Sequence, residues 1–303
     1  MEQDKIEIFI KRKKDECLKL IQYRIWDGID SNQLKAWLRN FTSLEEKFFA
    51  ACVLDWLVYR SDEHVVSMLY DLLTRHLHNE WRMDGNPLYN VEKNPLDLLC
   101  EKYGEIGFRY VTAVTKSDPD TKSGYHIASV LNHSMGISST WNIKAEKIEN
   151  VYNEGIRTFL FLDDISGTGE QMSTVLKESN VFLYKDVHVY ALLCAAHEKA
   201  VIKIKEDFPE VHVLCAEYIP EDSCFFEHIP IEQFDLKTVD DIREWYVNFM
   251  KGKGLKPKSN CLGRGDLGLV YAFQNNVPND SLPILFHENE KNSFMYLLKK
   301  RGR

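Results

Sequence analysis

The run Phe159-Leu-Phe-Leu-Asp-Asp-Ile-Ser-Gly-Thr-Gly-Glu-Gln171 constrains this chain more than any other segment. Four consecutive apolar residues make a strand buried on both faces, as in parallel sheets covered by helices. Two carboxylates then stand at its C-terminal end, and a loop of small residues opens the next helix. Consecutive strand residues point to opposite faces, so Asp163 and Asp164 serve one ligand only if the chain turns immediately after them. Gly167 and Gly169 supply the positive φ for such a turn and let the backbone approach a ligand closely. Free N–H groups at the start of the next helix, beside the Ser166 and Thr168 hydroxyls, form a phosphate site. A carboxylate pair suits sugar hydroxyls or a hydrated Mg2+. Together these parts describe a site for a phosphorylated sugar.

The flanking sequence supports the same architecture. Residues 108–115 and 157–162 read as strands, as do 187–194 and 211–216, with helical segments from near Tyr125, from Gly169 to Ser179 and from His197 to Asp207. This β-α-β-α-β rhythm predicts a parallel sheet with helices on both faces, and right-handed crossovers align the loops that follow the strands along one edge. Ahead of it, residues 1–95 read as an all-α module. Ser31 is an expected N-cap before Leu34, Trp37, Leu38 and Phe41, and Ser43-x-x-Glu46 has the form of a capping box. Trp37 and Trp56 are expected in the core, and residues 84–97, with a Gly, two Pro and several Asn, read as a linker. The expected organisation is therefore 1–95 helical and 96–303 α/β.

Competing readings of the acidic pair explain less. A Walker B strand end needs a partner G-x-x-x-x-G-K-[ST], which the chain lacks. A helix cap accounts for one carboxylate but not for the glycines.

Residues 159–171 resemble the 13-residue signature of the type I phosphoribosyltransferases at the apolar run, at Asp163, Asp164 and Ile165, and at Thr168 and Gly169. The resemblance implies binding of phosphoribosyl pyrophosphate or a related nucleotide with Mg2+, and transfer or exchange of the sugar phosphate at its anomeric carbon. Asp163 and Asp164 would hold the ribose hydroxyls and reach the metal indirectly, through water or those hydroxyls. Ser166, Gly167, Thr168, Gly169, Glu170 and Gln171 would cradle the 5′-phosphate. The loop 116–124 occupies the family's pyrophosphate position, with Lys116, Lys122, Ser123 and Gly124 as the matching residue types; a cation and amides there offset the charge of the leaving group. Gly167 stands where hypoxanthine-type members keep an Asp, so that base is not assigned, and Gln171 replaces a usual hydroxyl residue. Residues 136–156, with Lys144 and Lys147, occupy the place of the family's mobile catalytic loop. Residues 251–303 are the expected hood over the acceptor, with Asn276 and Asn279 as base-reading candidates within 261–286. The N-terminal helices with the L-G-R-G…N-x-P-N-x-S-L-P-I-L ending resemble a phosphoribosyltransferase-like branch associated with bacterial conflict and antiphage systems, implying a toxin-like effector. A non-catalytic nucleotide or phosphosugar sensor that regulates a partner through the helical module would keep most of the same signature.

Composition sets outer bounds. With 38 basic and 46 acidic side chains the net charge is −8, so uniform attraction to nucleic acid or an anionic membrane is not expected. A local exception is Lys251–Arg264, with five basic residues and no acid, a candidate RNA contact. Residues 1–83 are the candidate surface for a protein partner. Seven scattered cysteines without C-x-x-C, and histidines without metal spacing, argue against a disulfide scaffold or a protein-built metal site. The charged start and the lack of a ~20-residue apolar run point to a cytoplasmic protein without a membrane span.

Overall fold

A computed structural model describes residues 3–101, 106–115, 123–255 and 261–300, with backbone alone at 123–125. In chain order the helices are α1 (Gln3–Gln22), α2 (Ser31–Leu38) and α3 (Leu44–Trp56), then, after strand β1 (Val58–Arg60), α4 (Asp62–Asp71), α5 (Leu77–Met83) and α6 (Pro95–Leu99). The central part alternates: β2 (Phe108–Thr112), α7 (Ser123–Ser129), β3 (Asn142–Ile143), α8 (Ile148–Asn153), β4 (Thr158–Ser166) and α9 (Glu170–Ser179). It continues with β5 (His188–His197), α10 (Glu198–Asp207) and β6 (Val211–Ile219); α11 (Val239–Gly252) and β7 (Tyr271–Phe273) follow. Among the described residues no helix is long and apolar enough to cross a membrane.

The chain packs as two units, residues 63–221 and residues 1–62 with 222–303. The first contains a five-stranded parallel sheet in the order β3-β2-β4-β5-β6. Phe159 and Phe161 of β4 share one face with Val189, Ala191 and Leu193, and Val151 of α8, Val175 of α9 and Ile204 of α10 cover it. On the opposite face α7 packs against β2 and β4, and Trp81 of α5 meets Phe108 at 5.3 Å and Tyr190 at 6.5 Å between ring centroids. Helices therefore lie on both faces, as expected for strands whose every residue is buried.

Residues 63–86 belong with this sheet. The stripe Leu69, Leu72, Leu73, Leu77 and Trp81 is fully buried. The glycine- and proline-bearing stretch after it is partly a strap: buried Asn86 donates to the Tyr190 hydroxyl at 2.9 Å and to Thr158 Oγ1 at 3.3 Å, and Tyr190 donates to Asp84. The expected boundary at 95/96 and the packing boundary at 62/63 do not coincide, because the α4–α5 stripe finds its apolar cover within the α/β unit.

In the other unit both ends of the chain share one core. Phe49 of α3 packs against Phe225, Trp245 and Tyr246 at 5.1–5.5 Å, and Phe41 stacks on Phe249 at 5.7 Å. β1 pairs in parallel with β7. Trp37 is fully buried and its indole N–H donates to the Ile284 carbonyl at 3.0 Å. Trp56 departs from expectation: it is 36% exposed and stacks on His228, since its place at the end of α3 lies beyond the aromatic cluster. The N-cap of α2 is Asp30 rather than Ser31, its carboxylate accepting from Asn32 and Gln33 N–H. Ser43 caps α3 as expected, but Glu46 reaches back to the Thr42 N–H rather than to Ser43.

Candidate active site

Strand order reverses between β2 and β4, because β2 is followed by β3 on its outer side and β4 returns to its inner side. In open parallel sheets the crevice beyond the C-terminal ends of such a pair is where ligands bind. Register places Thr112 beside Leu162, and Ala113 N–H donates to the Leu162 carbonyl at 2.9 Å. The segment after β2 and the acidic pair of β4 thus leave the sheet side by side.

β4 is longer than its apolar run suggests. It continues through both acids to Ser166, paired with Ala195 and Ala196 of β5. The chain does not turn immediately after Asp164; hydrogen bonding to β5 keeps it extended for two more residues. The two carboxylates consequently take opposite faces. Asp163 lies on the face of Phe159 and Phe161, where α9 packs, and Asp164 on the face of Leu160 and Leu162, where α7 packs. Both are at most 2% exposed. Asp163 Oδ1 accepts the Asp164 N–H at 3.0 Å, and Asp164 Oδ1 accepts the Ile165 N–H at 2.8 Å. These local bonds hold the carboxylates at the strand end while offsetting part of their burial cost. Neighbouring Cys194 of β5 is fully buried, and burial, followed by the charges of Asp164 and Asp163, pushes its thiol well up. It stays protonated.

After β4 the loop reads as follows. Ser166 is buried, Thr168 half-buried and Glu170 exposed at the first turn of α9, where a carboxylate favours the helix dipole. Only Gly169 of the two glycines takes positive φ, +80°. A Cβ there would lie 3.0 Å from the Ala200 carbonyl oxygen and 3.2 Å from Lys203 Cβ. Its lack of a side chain therefore serves the packing of the loop on α10, not the close approach of a ligand. Gly169 is the N-cap of α9 and, having no side chain, makes no cap hydrogen bond to the first amides of that helix.

Gln171 is drawn inward. Its side-chain amide donates to the Ala113 carbonyl at 2.7 Å and approaches Asp163 Oδ2 at 3.4 Å, tying α9 to the ends of both β2 and β4. His197, which the sequence did not single out, ends β5 in the position after Ala196, the register partner of Ser166. It is 1% exposed, accepts the Lys199 N–H on Nδ1 at 3.1 Å and caps α10; burial holds its pKa below 6.5. A histidine closing an apolar strand just before a helix was the available signal.

Lys116 and Lys122 lie outside the described residues, and Ser123 and Gly124 are placed only as the first backbone turn of α7. Residues 136–156 fold as the edge strand β3 and helix α8 with two short 3-10 turns. Among the described residues no group of three or more His, Cys, Asp or Glu could hold a metal ion. Mg2+ commonly binds through one or two carboxylates together with substrate phosphates, and Asp163 and Asp164 fit that sparse role.

The family model PRTase-CE matches residues 34–300. No curated protein matches the chain. Among solved structures, the orotate phosphoribosyltransferase from Aeropyrum pernix is similar at 15% identity, over 41% of this chain and 68% of that one, with a TM-score of 0.25.

Proposed function

This chain belongs to the PRTase-CE family, and from that premise we propose that it binds phosphoribosyl pyrophosphate or a related nucleotide at the C-terminal ends of β2 and β4. It then transfers or exchanges the sugar phosphate at the anomeric carbon: the bond to the pyrophosphate oxygen breaks and a bond to the acceptor forms. The observation that carries this reading is the pair of buried carboxylates beside the glycine-capped N-terminus of α9 at the switch point of the sheet.

Because β4 does not turn at its acids, a ribose shared by Asp163 and Asp164 lies across the tip of the strand and meets one carboxylate from each face. The Asp164 and Ile165 amides hold the two groups in place beforehand. Ser166, Thr168 and the amides of Gly169 to Gln171 take the 5′-phosphate. Gln171 acts as a strut that holds α9 against β2, a role that explains an amide where the signature has a hydroxyl. Lys116, Lys122, Ser123 and Gly124 receive the departing pyrophosphate. Mg2+, held through the diphosphate and indirectly by Asp163 and Asp164, would supply charge neutralisation on the leaving group. The seven cysteines are free thiols, which suits a reducing cytoplasm, and the resembled branch suggests an effector in antiphage defence.

A second reading keeps the pocket without the chemistry. It is favoured by one contact, the Gln171 amide against Asp163, which engages an oxygen that the ribose would use. Incubating the full chain with Mg2+ and labelled phosphoribosyl pyrophosphate, following pyrophosphate and label separately across nucleotides and RNA, distinguishes the two. Transfer requires pyrophosphate release in step with label incorporation. Saturable binding without release supports the sensor, and neither binding nor release defeats both.

A further inference from the structure

Within residues 1–62 the helices line an open groove of about 650 Å3 that the phosphoribosyl reading does not use. Its floor is apolar: Ile10 of α1, Leu38 of α2, Phe41, and Ala51 and Leu54 of α3. Lys14, Lys35, Arg39 and Lys47 also line it, all four exposed, and Thr42 is the remaining polar residue. No carboxylate lines the groove, although the chain as a whole carries a net charge of −8. The volume is that of a ligand pocket, but small-molecule sites converge a few fixed polar groups on one point. Here the polar groups are ammonium and guanidinium heads on long flexible stems.

Their placement is spread out. Phe9 packs on Phe48 at 5.5 Å and Lys13 pairs with Asp55 at 2.5 Å, so α1 and α3 run in the same direction along this contact. Ile10 therefore falls near Lys47 and Ala51, and Lys14 near Leu54, which puts Lys47 and Lys14 at opposite ends of the floor. Lys35 and Arg39 stand one turn apart on the α2 side. From residue 47 to 54 the floor runs about 10 Å at 1.5 Å per residue. An apolar i, i+4, i+7 stripe on a docking helix covers that same length.

We infer that this groove docks an acidic amphipathic helix of a partner protein, its apolar stripe on the Ile10–Leu54 floor and its flanking carboxylates against Lys14, Lys35, Arg39 and Lys47. Rim charges of this kind select the partner and its orientation more than they add affinity. RNA would meet the same cations, but it would gain little from a floor that is aliphatic apart from Phe41. The inference does not depend on the phosphoribosyl site, because every residue it uses lies in residues 1–62.

The test uses the full chain and a fluorescent 16-residue peptide carrying Leu at i, i+4, i+7 and i+11 with Glu on the flanking positions. A counterpart has Lys in place of each Glu. The Glu peptide is expected to bind saturably and at least tenfold more tightly than the Lys peptide. Lys35→Glu with Arg39→Glu should invert that preference with an unchanged thermal midpoint, and Lys14→Glu with Lys47→Glu should move it the same way. Absence of saturable binding, a preference unmoved by both charge reversals, or equal displacement by a 16-nucleotide single-stranded RNA would overturn the inference.

Discussion

The unit formed by residues 63–221 is one continuous stretch of chain, whereas its counterpart joins residues 1–62 to residues 222–303. In the continuous unit β2 to β5 are each followed by a helix, α7 to α10, that packs on the same sheet, so over that stretch local sequence pattern and tertiary packing say the same thing. In the discontinuous unit the cover for an N-terminal helix comes from roughly two hundred residues later: Phe49 rests on Phe225, Trp245 and Tyr246. The difference teaches that helical periodicity identifies a buried face but not what buries it.

The largest expected effect breaks or confirms that division. Phe49→Ala removes the ring at the centre of the aromatic cluster and should destabilise its unit by about 3–5 kcal/mol. Hydrogen exchange followed by mass spectrometry should quicken in peptides from 44–56 and 225–250 and hardly at all in 158–219. Equal quickening in both sets would mean the two units are energetically one.

Gly169→Ala acts on the other side of the comparison. It imposes a left-handed φ on a residue with Cβ and presses that atom against the Ala200 backbone, a cost of about 1–3 kcal/mol. Urea denaturation should show the loss, with faster exchange confined to 166–204. An unaffected protein would mean the loop does not rest on α10.

Asn86→Ala sharpens the boundary between linker and fold. Leaving the Tyr190 hydroxyl and Thr158 short of a partner should cost about 1–2 kcal/mol. A true tether would show no change in thermal midpoint.

The smallest effect concerns pH. His197 has a folded pKa below its unfolded 6.5, because burial disfavours the charged ring. Between those two values the unfolded chain binds the extra proton, so stability is full above 6.5 and falls as the pH drops below it. His197→Gln, compared with the parent by denaturation at pH 7.5 and 5.5, should remove part of that loss.

The α/β half was legible because its strands are continuously apolar and its turns carry glycine and acids: the helices starting at 170 and 198 and the parallel sheet all appear where expected. Three features were not. β4 runs past its acids because β5 offers pairing partners as far as Ala196, a fact held in a different segment. The inward swing of Gln171 depends on an accepting carbonyl at Ala113, 58 residues away. The assignment of residues 63–86 to the sheet turned on Asn86 and Trp81 meeting Tyr190, whereas periodicity placed 63–83 in the helical module and composition marked 84–97 as a linker.

The central claim is that the acid-bearing end of β4 grips a ribose while the start of α9 takes its phosphate. Titration calorimetry of phosphoribosyl pyrophosphate with Mg2+, on the parent and on the Asp163→Asn, Asp164→Asn double variant, tests it most directly. The account predicts saturable one-site binding to the parent, weakened about a hundredfold or more in the variant, a change on the order of 2.7 kcal/mol. Equal affinity in both proteins would contradict it.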